Sequence, residues 1–144
     1  MTSVIVTGHG HFPTGLLSAV SLVAGKPDST VGVDFEEGMS SDDLRRKLDQ
    51  AIAELEGDEI LILADLVGGT PFNMATAIKL ERSDKHIQVI AGANMPALVE
   101  AIFSRGMYTM DQLAASALNA GKEGLVNLDA LNGGNDEPEF EDGL

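Results

Sequence analysis

The chain has 144 residues, with 23 acidic against 9 basic side chains, three histidines and no cysteine. A formal net charge of −14 repels nucleic acid and anionic lipid and favours a basic partner. The missing cysteine excludes disulfides and thiolate metal sites.

The length suits one domain, and a chain that is 44% hydrophobic without tryptophan builds its core from aliphatic side chains. No apolar run approaches the roughly 20 residues that cross a bilayer. No basic segment followed by an apolar one opens the chain, so a cytoplasmic protein without a signal peptide is expected.

In chain order, strands and helices alternate. Residues 3–7 form a β-branched run that reads as a buried strand and ends in Gly8-His9-Gly10-His11, a loop at its carboxyl end. A helix follows over about 14–24, stopped by Gly25, and then a second short strand over 31–35. Ser40, with acids at 42 and 43, opens a helix whose apolar face is Leu44, Leu48, Ile52 and Leu55, and Gly57 ends it. Ile60-Leu61-Ile62-Leu63-Ala64 is a continuous apolar run, the pattern of a central parallel strand covered on both faces, with Asp65 directly at its end.

After the loop Leu66-Val67-Gly68-Gly69, Thr70 as N-cap and Pro71 at the first helical position start a helix to about Leu80. A fourth strand spans 87–91. Asn94 begins a helix to about Ser104, and Thr109 caps another over 110–120, stopped by Gly121. Residues 125–128 are β-compatible but have no place in a parallel sheet. The last residues are acidic with Gly and Pro and read as a flexible tail. The expected fold is a doubly wound α/β domain over residues 1–130, a mostly parallel four-stranded sheet with helices on both faces, followed by the tail at 131–144.

The unusual residues fall in two βα loops, after strands one and three. In a doubly wound sheet these strands are neighbours and the ligand crevice opens at their carboxyl ends. His9 and Asp65 then face each other. A carboxylate accepting from one ring nitrogen fixes the tautomer and leaves the other nitrogen free as nucleophile or ligand. Gly68, Gly69 and the amides up to Phe72, with the Thr70 hydroxyl, offer donors that suit a dianion. Nucleophile, orienter and anion cradle together suggest a phosphoryl group carried on histidine, with no metal or cofactor.

Three segments carry a resemblance: Ile5-Val6-Thr7-Gly8-His9-Gly10, Leu63-Ala64-Asp65-Leu66-Val67-Gly68-Gly69-Thr70-Pro71-Phe72-Asn73, and Ile90-Ala91-Gly92-Ala93-Asn94-Met95-Pro96. Over residues 2–130 the chain resembles the mannose-type enzyme IIA family of the bacterial phosphotransferase system. The Asp-x-x-Gly-Gly-Thr-Pro-Phe block is the specific part. The resemblance implies that His9 accepts a phosphoryl group from the histidine-containing carrier protein and passes it to a histidine on a IIB component, for sugar uptake. Asp65 matches the carboxylate beside that histidine, and Thr70 the Ser/Thr near the phosphate. It also implies a homodimer with an exchanged C-terminal strand, a role that residues 125–128 fit.

Rival readings use the same residues. A receiver-like signalling domain would be phosphorylated on Asp65, but it needs Mg²⁺ and further carboxylates after strand one, where Thr7-Gly8-His9 offers none. A metal hydrolase would use His9, His11 and Asp65. Gly8-x-Gly10 begins a dinucleotide fingerprint, but Pro13 stands at the third glycine position. His11 reads as a rim residue, Asp34 as structural, and His86 as a surface residue at the opposite end of the sheet. Met74, Met95, Met107 and Met110 read as core or dimer contacts.

Overall fold

The computed structural model describes residues 1–131; residues 132–144, nearly all of the expected tail, lie outside them. Ten elements follow in chain order: β1 Ser3–His9, α1 Phe12–Ala24, β2 Thr30–Phe35, α2 Ser41–Glu54, β3 Glu59–Ala64, α3 Thr70–Glu81, β4 His86–Ile90, α4 Met95–Ser104, α5 Met110–Glu123 and α6 Leu128–Leu131. The four strands lie in the order β2-β1-β3-β4, and every pairing is parallel.

Strand periodicity splits the core in two. Val4 and Val6 of β1 and Leu61 and Leu63 of β3 point to one face, where α1, α4 and α5 cover them with Val20, Leu98, Ala101, Met110 and Leu113. Ile5, Ile60 and Ile62 point to the other, under Leu44, Leu48 and Ile52 of α2 and Ala75 and Ile78 of α3. Side chains that alternate across a strand yet are all apolar require helices on both faces, which is why β1 and β3 are central. The chain leaves β1 through α1 on one face and leaves β3 through α3 on the other. The winding therefore reverses at the carboxyl ends of β1 and β3, and a crevice opens there.

Capping chemistry sets three of the six helix starts among the described residues as the sequence predicts. Ser40 and Asp43 exchange side chain–backbone hydrogen bonds of 3.1 and 3.0 Å, Asn94 Oδ1 accepts from the Ala97 N–H at 3.1 Å, and Thr109 pairs with Gln112 in the same way. Several boundaries differ from the sequence reading: β2, β3 and β4 each begin one residue earlier, and four further differences have a local cause. β1 runs two residues further, through Gly8 and His9, which pair in register with Asp34 and Phe35. α1 begins at Phe12, and its N-cap His11 gives no side-chain cap; Asp34 at the end of β2 accepts the Thr14 N–H instead, at 3.1 Å. The N-cap of α3 is Gly69, with Thr70 and Pro71 inside the first turn. α5 continues through Gly121 because that glycine lies against α4: its carbonyl accepts from Asn94 Nδ2 at 2.9 Å, and a methyl group there would stand 3.1 Å from Ala97 Cβ.

The expected strand at 125–128 is not formed. Residues 125–127 have no regular structure, and α6 follows as a single turn. Leu125 is 84% exposed, and Val126 and Leu128 are exposed as well.

Candidate functional site

β1 ends in a residue whose backbone and side chain are held by one atom. Asp65 Oδ2 accepts the His9 backbone N–H at 2.8 Å and faces His9 Nδ1 at 2.7 Å. β1 and β3 pair as far as Thr7 and Ala64, so the Asp65 carboxylate takes over as acceptor where the ladder stops. The other carboxylate oxygen accepts the Leu66 N–H at 2.9 Å. Burial pushes the Asp65 carboxyl up, but the hydrogen bonds from the His9 N–H, the His9 ring and the Leu66 N–H outweigh it and hold it below its ordinary value. A carboxylate on Nδ1 selects the tautomer with its proton there and leaves Nε2 a lone pair. The His9 side chain is 48% exposed, so a second macromolecule can reach that nitrogen.

Two glycines make the pair possible sterically. A methyl group at Gly8 would stand 2.9 Å from Asp65 Cγ and 2.8 Å from Phe12 Cδ1; one at Gly69 would stand 2.8 Å from His9 Cε1 and 3.6 Å from Nε2. Gly69 is also the N-cap of α3, so the free imidazole nitrogen lies against a helix N-terminus. Pro71 has no N–H, Asn73 N donates to Gly69 O, and the Thr70 and Phe72 amides have no acceptor among the described residues. These amides, the Thr70 hydroxyl and the positive end of the helix dipole are donors of the kind that suit an anion, at the helix end beside Nε2. Gly68 supplies the turn into it at φ +82, and Asn73 Nδ2 braces that turn through Gly68 O at 3.3 Å.

The sequence reading missed one neighbour. Phe35 packs edge-on to the His9 ring, with centroids 5.9 Å apart at 66°. Its signal was positional: it ends β2 in register with His9. Gly10, at φ +58, donates its N–H to Phe35 O at 2.8 Å and turns the chain away from His9.

That turn separates the two histidines. His11 Nδ1 lies 3.0 Å from Asp34 Oδ2, whereas His9 belongs to Asp65, so His9, His11 and Asp65 do not converge on one metal. The Asp34 hydrogen bond and the charges of Asp34 and Glu36 raise His11 above its ordinary value. Burial opposes ionisation of Asp34, but His11 and Thr14 bind the carboxylate and keep it low. Asp65 is occupied by three N–H groups rather than open to phosphorylation, against the receiver-like reading. His86 lies at the amino end of β4, far from this site in the sheet, and is exposed. Met110 is core, Met74 and Met95 pack at the core's margin, and Met107 is exposed.

These features define a class: doubly wound α/β domains that present a carboxylate-held imidazole beside a helix N-terminus. The family model described as "PTS system fructose IIA component" matches residues 3–118. A "PTS system fructose-specific EIIA component" from Bacillus subtilis is 36% identical over 106 residues, covering 73% of this chain and 71% of the relative. A "PTS system mannose-specific EIIAB component" from Escherichia coli is 35% identical over 133 residues, 90% of this chain; the chain spans only 41% of that relative's length. The crystal structure of a phosphotransferase system component EIIA from Streptococcus agalactiae superposes with a TM-score of 0.86 at 40% identity, over 90% of this chain and 99% of the other. The chain belongs to the family of phosphotransferase-system IIA components.

Two outcomes follow from the geometry. Gly69 sits at φ −75, open to any residue, so Gly69→Ala should change stability by less than about 1 kcal/mol while displacing the His9 ring. Denaturant unfolding with ring ¹⁵N spectra of His9 checks both halves. Asp65 has a depressed value in the folded state, so its stabilisation is complete above about pH 4 and is lost as pH falls through that depressed value. The decline of Tm between pH 5 and pH 2.5 should therefore be shallower in Asp65→Asn than in the unaltered chain.

Proposed function

We propose that this chain is the phosphoryl carrier of a sugar-transporting phosphotransferase system, acting in the cytoplasm. His9 takes the phosphoryl group from the histidine-containing carrier protein and passes it to a IIB component, for uptake and phosphorylation of a sugar. The observation that carries the reading is His9 Nδ1 held at 2.7 Å by Asp65, with Nε2 exposed against the N-terminus of α3. Family membership and the printed descriptions of the relatives support it. Among the described residues no helix is long and apolar enough to cross a membrane.

In the proposed transfer, the Nε2 lone pair attacks the phosphorus of the donor phosphohistidine in line. The N–P bond to Nε2 forms as the donor's N–P bond breaks and the donor imidazole leaves. The Nδ1 proton stays where it is, the His9 ring gains positive charge, and Asp65 stabilises it. The Thr70 and Phe72 amides and the Thr70 hydroxyl bind the equatorial oxygens. Positioning and charge do the work; no metal or cofactor enters.

A homodimer belongs to the same proposal. Leu125, Val126 and Leu128 form an apolar segment left exposed after α5, and exchange of this segment with a second copy would cover it.

The test is incubation with phosphorylated carrier protein and labelled phosphate, followed by mapping of the modified residue. Label should appear on His9, vanish in His9→Ala, and be stable in alkali and lost in acid. Asp65→Ala should slow transfer by about 100-fold while leaving some labelling; an unchanged rate removes the orienting role. With a net charge of −14 facing a basic donor, the second-order transfer rate should fall as salt is raised from 0.05 M to about 0.5 M.

A further inference from the structure

Two imidazoles leave the carboxyl end of β1, and only one belongs to the site above. His11 turns to the β2 side, where its Nδ1 lies 3.0 Å from Asp34 Oδ2 and 3.8 Å from Glu36 Oε1. One ligand atom from each of the three residues lies within 4.8 Å of the other two, and among the described residues this is the group of three His, Asp or Glu so placed. Ligand atoms about 2.0–2.2 Å from a tetrahedral ion stand roughly 3.3–3.6 Å from one another. The two separations from His11, 3.0 and 3.8 Å, fall on either side of that range, and Asp34 and Glu36 lie within 4.8 Å of each other, so closure on an ion draws the exposed Glu36 inward by up to about an ångström.

The donors differ in stiffness in a way that suits metal binding. Asp34 is preset: Thr14 donates its N–H to Oδ1 at 3.1 Å and its hydroxyl to Oδ2 at 2.7 Å, fixing the carboxylate before any ion arrives. Orienting partners of this kind, outside the ligands themselves, accompany built metal sites. His11 and Glu36 are the mobile members, with side chains 77% and 49% exposed, which leaves room for water in the remaining positions. One imidazole and two carboxylates form a nitrogen–oxygen donor set that suits zinc.

We propose that His11, Asp34 and Glu36 bind a divalent transition-metal ion of the zinc type. The ion takes the Nδ1 lone pair of His11, and the ring proton moves to Nε2, which faces solvent. Asp34 Oδ2 keeps the Thr14 hydroxyl bond and offers its remaining electron density to the ion. The bound ion ties the end of β2 and the loop after it to the start of α1, next to the Gly10 turn. It also sets a positive charge two residues from His9 on a strongly acidic surface. None of this rests on the phosphoryl reading, and binding is measured on the unphosphorylated protein alone.

Zinc titration by calorimetry, with ring ¹⁵N spectra of the histidines, tests the site. One ion per chain is expected, moving the Nδ1 resonance of His11 and leaving that of His9 in place. His11→Gln and Glu36→Gln should each weaken binding by at least about tenfold, and Thr14→Val, which removes the hydroxyl bond to Asp34 Oδ2 and keeps the backbone one to Oδ1, by about tenfold. His9→Gln should bind as the unaltered chain does. Three results overturn the proposal: binding that survives His11→Gln but is lost in His9→Gln, binding that none of the variants changes, and no binding at millimolar zinc. Glu36 is an exposed side chain, so Glu36→Gln keeps the test open should another variant fail to fold.

Discussion

The site depends on one oxygen atom accepting two hydrogen bonds from one residue. Asp65 Oδ2 takes the backbone N–H of His9 at 2.8 Å and stands 2.7 Å from its ring nitrogen. The first contact fixes where the Cα of His9 lies at the end of β1; the second fixes how its ring is turned and where its proton sits. Backbone and side chain cannot then move independently. This economy requires the carboxylate to come close to the strand end, and Gly8 provides the approach, since any side chain there would meet Asp65 at under 3 Å. Gly69 does the same for the opposite edge of the ring. The two glycines matter as absent atoms, not for freedom of φ.

This explains which part of the site the sequence made legible. The run at 60–64 announces a strand covered on both faces, and an aspartate directly after it must stand at the carboxyl edge. With β1 as its neighbour, His9 faces Asp65 by topology alone, and the structure places the pair so. The extent of β1 was not legible. Gly-His-Gly-His reads as a loop by local preference, but Gly8 and His9 stay in the strand because they pair with β2 and because Asp65 supplies the acceptor that β3 no longer offers. A tertiary partner overrode a local signal.

The same conflict explains the other differences. Thr70 looks like an N-cap by type, yet Gly69 takes the position, because a Cβ there would collide with His9. Thr70 thereby falls inside the first turn instead of capping it. Gly121 looks like a stop, but the close crossing of α4 and α5 needs a residue without a side chain inside the helix. Phe35 carried no motif at all; it becomes a neighbour of His9 only through the register of β1 on β2. Residues 125–128 have strand character but pair with neither outer edge of the sheet, β2 or β4, and they remain exposed.

The shape of the site also bears on what can approach it. A cleft of about 310 Å³ runs beside β2, between Thr14, Lys47 and Glu54, and one of about 250 Å³ lies between β4, α4 and α5; His9 lines neither. The imidazole instead stands half exposed beside the N-terminus of α3. A small sugar needs a concave pocket that removes most of its surface from water, and neither of these clefts is lined by His9. A protein surface carrying a phosphoryl group needs only an accessible nitrogen, a few fixed donors and complementary charge. In the proposed transfer, a half-exposed ring also limits how tightly a phosphoryl group on it would be held, because the outer oxygens would remain in water. A carrier must release what it accepts, so the exposure of His9 suits the proposed reversible relay.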